Sequence, residues 1–133
     1  DTYGAQMRAA SQVALRDEKA IGAVATYIAA LPRTDVKPAG KFDARNGNNL
    51  YQGKCGACHG GQAEGNEALS APRLAGLDAA YIKRQHRNFG KGLRGAQPQD
   101  RYGKQMALMA TTLGSERELD DVIGYIQAFE AAR

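Results

Sequence analysis

The sequence predicts an all-α fold, and three observations support this prediction. Alanine and glycine are frequent, whereas β-branched residues are few. The Val/Ile/Thr-rich alternation expected of half-buried strands is missing from the 133 residues. Several segments instead repeat apolar residues at helical spacing. A chain of this length is expected to hold one domain, with room for a small additional unit.

Residues 16–31 are predicted to form the first helix. Their apolar side chains recur along one stripe, and Pro32 follows the last of them. The stripe consists of Ile21, Val24, Tyr27, Ile28 and Leu31. Residues 32–42 contain two prolines, a glycine and few apolar side chains, so we expect a linker there. The longest apolar stretch, residues 21–31, is far too short to span a bilayer.

A second unit is predicted from about Asp43 onward. A short helix is expected to run into the segment "KCGACHG", and a further helix is expected to begin at the capping residue Asp78. Residues 90–103 read as an irregular loop because they are rich in glycine.

The clearest helix covers residues 115–132. Ser115 and Glu118 have the spacing of a capping box, which favours a helix start at this point. The apolar face of this helix consists of Leu119, Val122, Ile123, Ile126 and Phe129.

The chain also contains an internal repeat. Residues 1–7 read "DTYGAQM" and residues 100–106 read "DRYGKQM". After a slip of one residue, the positions that match Leu113, Glu116, Val122, Tyr125, Ile126 and Ala128 are Leu15, Glu18, Val24, Tyr27, Ile28 and Ala30. Because we place both Tyr-Gly-x-Gln-Met segments outside the helices, helix propensity alone does not explain the match. The repeat indicates duplication of one structural unit.

One short motif carries recognisable chemistry. Cys55, Cys58 and His59 form a C-x-x-C-H sequence, the attachment pattern of c-type haem. Two thiols at this spacing can each add to a vinyl group on one porphyrin edge. The adjacent histidine then supplies a nitrogen ligand to the iron. The motif therefore predicts one covalently attached haem.

Other uses of these cysteines fit less well. A thioredoxin-like pair requires a strand–helix context that the sequence lacks. A structural zinc site normally has four ligands, and only the remote His86 is available as the fourth. A disulfide would leave His59 unexplained.

The sixth iron ligand decides between an electron carrier and a catalyst. A vacant position admits oxygen, peroxide or carbon monoxide, whereas a methionine thioether closes it and raises the potential. Met106 and Met109 precede the last helix and are the candidates, although methionine also commonly fills cores. His86 is an alternative ligand, but its place among charged residues in mid-helix predicts an exposed side chain.

Basic residues are concentrated between residues 83 and 104, where Asp100 is the one acid. They are Lys83, Arg84, Arg87, Lys91, Arg94, Arg101 and Lys104. They form either a solvated surface or a docking face for an acidic protein partner. Nucleic acid is a weaker interpretation, because aromatic residues are sparse there and no nucleic-acid motif accompanies the charges.

Residues 43–133 resemble a bacterial class I c-type cytochrome, and most closely one haem unit of the diheme c-four group. The likeness rests on "LYQGKCGACHG", "APRLAG", "YIKRQHRNFGKGLRG" and "MALMATTLGSERELDDVIGYI". It implies an all-α class I cytochrome c fold around one haem c, with an extra N-terminal helix. It also implies periplasmic electron transfer rather than enzymatic catalysis. The expected partners are redox proteins with acidic docking patches, such as a terminal oxidase, a reductase or a dehydrogenase.

The resemblance also implies roles for individual residues. His59 and Met106 would ligate the iron, and the carbonyl of Pro72 would accept a hydrogen bond from the imidazole. The residues in contact with the haem would be Cys55, Cys58, Pro72, Leu74 and Met109. At the crossing of the first and last helices of the unit, Gly47 and Tyr51 would meet Tyr125.

Residues 1–31 resemble the tail of a first cytochrome unit that lacks its own C-x-x-C-H. Met7 stands where Met106 stands in the repeat. We expect either a fragment of a longer diheme protein or a relic of a lost first unit, with Met7 not ligating the haem of another molecule. The apolar stripe of the N-terminal helix would then pack on the haem unit, or on a neighbouring chain to form a dimer. No signal peptide is visible.

Overall fold

The computed structural model describes residues 2–32 and 40–131. The chain separates into two compact units, Asp1–Thr34 and Asp35–Arg133. Within the described ranges every regular element is a helix, apart from one isolated β-bridge between Asn66 and Ala71. The predicted all-α fold is therefore confirmed. Most of the predicted linker, residues 33–39, lies outside the described residues.

The N-terminal unit contains two helices, α1 (Thr2–Ala14) and α2 (Glu18–Ala30). Helix α2 begins after Asp17, whose carboxylate accepts a hydrogen bond from the backbone N–H of Ala20 at 2.8 Å. The helix predicted over residues 16–31 is confirmed as α2, whereas α1, ahead of residue 16, was not predicted. The stripe of α2 contains no buried residue.

The C-terminal unit contains five α-helices and one 3₁₀ turn among its described residues. They are α3 (Ala44–Lys54), α4 (Gly56–His59), the 3₁₀ turn (Glu67–Leu69), α5 (Ala79–Gly90), α6 (Arg101–Ala110) and α7 (Glu116–Ala131). Aspartate side chains cap α3, α5 and α6 by accepting a backbone N–H of the first turn. The cap residues are Asp43, Asp78 and Asp100.

Helix α6 begins inside the region predicted to be an irregular loop. Asp100 accepts the backbone N–H of Gly103 at 2.7 Å, and the helix starts at Arg101. Both copies of the Tyr-Gly-x-Gln-Met segment are consequently helical, so the prediction that they lie outside helices was wrong. The matched identities of the repeat remain, and each copy precedes a second helix.

The core of the C-terminal unit lies where α3 crosses α7. A Cβ atom on Gly47 would collide with the carbonyl oxygen of Asp121 and touch Tyr125, so only glycine permits this approach. The Tyr51 ring is fully buried, with its centroid 5.7 Å from the Tyr125 ring and 6.1 Å from the Phe129 ring. The expected meeting of Gly47 and Tyr51 with Tyr125 is present.

A buried carboxylate fastens the start of α3 to α7. Asp121 is 2% exposed and accepts hydrogen bonds from the backbone N–H of Asp43 at 2.8 Å and from the Asn46 side chain at 2.9 Å. Arg117, one turn earlier on α7, donates to it at 3.2 Å. The Asp43 N–H first, then the Asn46 amide, hold the pKa of Asp121 below its usual range. This arrangement fixes the helix that leads into the cysteine motif.

Candidate haem site

The cysteine motif continues α3 almost without a break. The backbone N–H of Cys55 donates to the carbonyl of Tyr51 at 2.8 Å, and the backbone N–H of His59 donates to the carbonyl of Cys55 at 2.9 Å. Cys55 is half-buried and Cys58 is exposed. Cys55 immediately precedes α4 and Cys58 lies on it, so the two thiols are within one helical turn. They can therefore reach one edge of a single planar group such as a porphyrin. Gly60, at φ +85°, ends the turn.

Two side chains of α3 form hydrogen bonds to the backbone that directly follows the motif. The Tyr51 hydroxyl donates to the carbonyl of Gly60 at 2.6 Å, and Gln52 donates to the carbonyl of Gly61 at 3.0 Å. The burial of Tyr51 raises the pKa of its hydroxyl well above the ordinary value, so it remains a proton donor. Sequence reasoning missed this second contact of Tyr51, because no local pattern links residues 51 and 60.

The imidazole ring of His59 is buried and held by a hydrogen bond. The residue is 8% exposed, and its Nδ1 lies 2.8 Å from the carbonyl oxygen of Pro72. A proline carbonyl can only accept, so Nδ1 carries the proton and Nε2 presents its lone pair. This is the hydrogen bond that the resemblance implied, and it fixes both ring orientation and tautomer.

The loop from Ala63 to Ala75 supports this bond. The backbone N–H groups of Leu74 and Ala75 both donate to the carbonyl of Ala63, at 2.9 and 3.0 Å. The N–H of Gly65 donates to the His59 carbonyl at 2.7 Å, and a Cβ on Gly65 would press on backbone atoms near Pro72. Leu74 is half-buried and packs against the core. Leu74 and Pro72 thus belong to one loop folded against His59.

The two candidate methionines both lie on α6, a different element. Met106 is half-buried, and Met109, one turn later, is 37% exposed. Lys54, the last residue of α3, donates from Nζ to the carbonyl of Thr112 just beyond α6. This bond ties the end of the methionine helix to the residue before Cys55, and sequence reasoning did not anticipate it.

The thiols lack the environment of a redox-active pair. Burial raises the pKa of the Cys55 thiol to about 11, whereas thiol–disulfide enzymes lower it. Across residues 2–32 and 40–131, no three His, Cys, Asp or Glu side chains are grouped to hold a metal ion. Neither observation supports a thioredoxin-like or zinc interpretation.

The predicted exposure of His86 was wrong. His86 is half-buried on α5 and faces a cavity of about 290 Å³. Among the residues that line this cavity are Gly90, Ala110, Leu113, Glu116 and Leu119. Burial lowers the pKa of His86, against a smaller opposite effect of Glu116, so the imidazole is neutral near pH 7.

Part of the basic region is neutralised within the C-terminal unit. Lys83 forms ion pairs with Asp120 and with Glu116, the latter at 3.3 Å, and Arg87 also contacts Glu116. These cations, Arg87 first, hold the pKa of Glu116 at about 2. Lys83 and Arg87 would therefore contribute little to a docking face. The other basic residues of this region are Arg84, Lys91, Arg94, Arg101 and Lys104.

The sequence pattern of the cytochrome c family matches residues 44–130. The chain belongs to this family. It is 34% identical over 91 residues to the "Thiosulfate dehydrogenase electron acceptor" of Stutzerimonas stutzeri (strain A1501), covering 68% of this chain and 38% of that protein. It is 36% identical over 87 residues to "Cytochrome c-554(547)" of Halothiobacillus neapolitanus, covering 63% of this chain and 93% of that protein. No solved structure matches the chain significantly.

These similarities support a bacterial class I c-type cytochrome that functions in haem-based electron transfer. Family membership implies a covalent haem c with its iron, and Cys55 and Cys58 have the spacing of the attachment motif. The donor set fits this group, because both thiols and the free Nε2 of His59 lie within one short turn. The chain spans about two fifths of the length of the Stutzerimonas protein.

Proposed function

We propose that the protein carries single electrons in the periplasm through one haem held by His59 and Met106. The hydrogen bond from His59 to Pro72 carries this proposal, because it leaves Nε2 as a ready ligand beside the attachment cysteines. An oxidising compartment suits cysteines that are committed to haem attachment, which favours an exported protein. Within the described ranges, every helix is too short or too polar to cross a bilayer.

The haem supplies an iron that gains and loses one electron without bond making. The contribution of the chain is to hold its ligands still, so that little rearrangement accompanies the change in charge. The His59 ring is held by its hydrogen bond to the Pro72 carbonyl. The loop that bears Pro72 is held in turn by two backbone hydrogen bonds to the Ala63 carbonyl. The thioether of Met106 would occupy the sixth position of the iron and so keep oxygen and peroxide away from it. The same ligand would raise the reduction potential of the haem.

The proposed partners are redox proteins with acidic patches. Lys91 and Arg94 follow α5 and are both exposed, whereas Lys83 and Arg87 are paired with Asp120 and Glu116. A cationic surface of this kind steers an acidic partner during encounter. The Stutzerimonas relative is named as an electron acceptor, which supports a dehydrogenase as the electron donor; a terminal oxidase or reductase is the proposed acceptor.

A second candidate function is that of a haem module within a larger oxidoreductase or diheme cytochrome. The match to 38% of the Stutzerimonas protein favours this candidate. The internal repeat favours it as well, because residues 1–31 correspond to the second half of a haem unit. In either case the chain itself passes electrons and converts no substrate.

The deciding experiment is a visible spectrum of the reduced holoprotein before and after carbon monoxide. We expect no change, since Met106 occupies the sixth position. A prompt shift would overturn the carrier proposal in favour of a gas sensor or peroxidase-like enzyme.

Two variants identify the ligand. Met106→Ala should abolish the thioether–ferric absorption band and make the iron reactive toward carbon monoxide. Met109→Ala, on the same helix, is the matched control and should keep the band. The reverse outcome would move the ligand to Met109.

A salt titration tests the docking face. Neutralising Lys91 and Arg94 to glutamine should slow reduction by an acidic redox partner at low ionic strength and much less at high ionic strength. The control is Lys83→Gln, which removes a cation already paired with Asp120. Rates that do not depend on salt would exclude this face.

A further inference from the structure

The start of α6, the helix that carries both candidate methionines, is held by contacts with the loop just before it. Lys104 donates from Nζ to the carbonyl of Pro98 at 2.9 Å. Gly95, at φ +73°, lies against the backbone of Gly103, where a Cβ atom would collide with the carbonyl oxygen. All of these residues are close in sequence. The contacts therefore shape the start of α6 without joining it to the helix that leads into the cysteine motif.

The end of α6 is closed by two threonines. The last carbonyl groups of a helix lack partners within the helix itself. The backbone N–H and the hydroxyl of Thr111 both donate to the carbonyl of Leu108, at 3.1 and 2.7 Å. The same two groups of Thr112 donate to the carbonyl of Met109, at 3.0 and 2.8 Å. The carbonyl of Thr112 itself bonds to a donor from another element.

That donor is Lys54, the last residue of α3. Its Nζ lies 2.5 Å from the carbonyl oxygen of Thr112, although the two residues are 58 positions apart in the sequence. A charged donor forms a stronger hydrogen bond to a carbonyl than a neutral donor does. The ammonium group also complements the negative end of the α6 dipole. The bond therefore joins the end of α6 to a different helix.

The position of Lys54 is fixed by its neighbours in α3. The close approach at Gly47 sets α3 against α7, and the next residue after Lys54 is the attachment cysteine Cys55. The lysine side chain is half-buried and reaches from this fixed point to the far side of α6 from its cap. Thr112 follows Met106 closely in the chain. One side chain thus connects the segment that bears the thiols to the segment that bears the methionine.

We propose that Lys54 is a positioning residue for the sixth iron ligand. Its hydrogen bond to Thr112 holds the end of α6 beside the attachment helix, and this keeps the thioether of Met106 on the iron. Thr112 is exposed, so water can bond to its carbonyl when the lysine is removed. Loss of the ammonium group therefore loosens α6 without leaving a buried group unpaired. The inference rests on the proposed ligation of the iron by Met106.

The test measures how readily an external ligand displaces the thioether in the ferric holoprotein. Imidazole is the probe, and its binding is followed by the absorbance of the haem. Lys54→Met removes the ammonium group and keeps an unbranched side chain of similar length. We expect it to tighten imidazole binding roughly three- to tenfold, because Met106 then leaves the iron more easily. Lys54→Arg retains a charged donor and should bind imidazole nearly as the natural protein does.

Two controls separate positioning from the loss of a charge. Lys41→Met removes an exposed lysine of the same unit and should leave imidazole binding unchanged. In a Met106→Ala protein no thioether competes with imidazole. Adding Lys54→Met to that protein should therefore make no further difference, and this double-mutant comparison isolates the action of Lys54 through Met106.

Thermal unfolding separates positioning from overall stability. In Lys54→Met the thioether–ferric absorption band should disappear at a lower temperature than in the natural protein. The midpoint of the helical circular dichroism signal should fall less, because the crossing of α3 and α7 does not involve this side chain.

Three results would overturn the inference. The first is a Lys54→Met protein that binds imidazole no more tightly than Lys41→Met. The second is an effect of Lys54→Met that persists in the Met106→Ala protein, which would show that the lysine controls access to the haem. The third is an equal fall of both thermal midpoints, which would assign Lys54 to overall stability. Failure of the carrier proposal would appear separately, as carbon monoxide binding to the unmodified protein, and would remove the ligand on which this inference depends.

Discussion

Helices α2 and α7 share a sequence pattern but have opposite environments. Ile28 and Ile126 occupy matched positions, yet one is 60% exposed and the other 1% exposed. Periodicity therefore identifies which residues share a face, and the neighbouring helix decides whether that face is buried. For α7 that neighbour is α3. Comparing α2 with α7 therefore shows how much burial α3 provides.

The largest expected difference comes from truncating the matched isoleucines. Ile126→Ala should lower the free energy of unfolding by about 2–5 kcal/mol, because it leaves a cavity in the core. Ile28→Ala should change it by less than about 0.5 kcal/mol, since that side chain is exposed. Denaturant unfolding of the holoprotein, followed by circular dichroism and haem absorbance, measures both. Equal losses would show that α2 is buried in solution.

Two glycines in helix interiors provide the next contrast. Gly47→Ala should destabilise the protein by about 1–3 kcal/mol, because the new methyl group meets the Asp121 carbonyl and forces α3 from α7. Gly22→Ala on α2 meets nothing within 4 Å and should stabilise the helix by up to about 1 kcal/mol. Thermal unfolding of the two variants is compared, and a stabilised Gly47→Ala protein would contradict the observed crossing.

The buried carboxylate of α7 has no equivalent on α2, where Ala23 takes its place. Asp121→Asn should cost about 1–2 kcal/mol at pH 7, because the amide cannot accept every hydrogen bond of the carboxylate. Hydrogen bonding lowers the pKa of Asp121 in the folded protein, so its contribution is present above the unfolded value of about 3.9.

The contribution of Asp121 is lost as pH falls through the lower, folded pKa. Unfolding free energies measured from pH 7 downward should therefore converge for the natural protein and the Asp121→Asn variant. A difference that stays constant with pH would mean that the carboxylate is not the source of the stability.

The smallest expected effect concerns the hydroxyl of Tyr51. Tyr51→Phe removes its hydrogen bond to Gly60 while keeping the buried ring, and should cost about 0.5–1.5 kcal/mol. Tyr27→Phe on α2 is the control, because Tyr27 is 67% exposed and should show no change. Denaturant titrations of both variants give the comparison. An unchanged Tyr51→Phe protein would show that this bond adds no net stability.

The sequence allowed correct prediction of elements whose signals are local. The Asp78 cap of α5 is present, as is the bond from the Glu118 N–H to Ser115. The Glu118 carboxylate instead accepts the N–H of Gly114, one residue before the cap. Such signals depend on residues a few positions apart, which a single sequence displays directly.

The start of helix α6 was missed because residues 90–103, which are rich in glycine, were predicted to form a loop. In α6 the carboxylate of Asp100 lies against Gly103, where a Cβ atom would collide with it. The glycine therefore serves the cap and does not break the helix. Asp100 followed by a helical run was the available signal.

The candidate site divides in the same way. The C-x-x-C-H spacing is a local signal, whereas the Pro72 contact was implied by the resemblance to class I c-type cytochromes, and the structure places Pro72 beside His59. The Asp43–Asp121 bond joins residues far apart in the chain, and the burial of His86 depends on residues from α6 and α7. No periodicity within one helix reveals such neighbours.

The pairing of Phe42 with Gly124 has a consequence for how the chain assembles. Synthesis proceeds from the N-terminus, so α2 emerges before α3, and α7 emerges after both. On α2 the matched residues are Thr26 and Ala23. Thr26 leaves no space for the Phe42 ring that lies against Gly124, and Ala23 cannot accept the hydrogen bonds that Asp121 accepts. At these two positions α2 therefore matches α3 less well than α7 does.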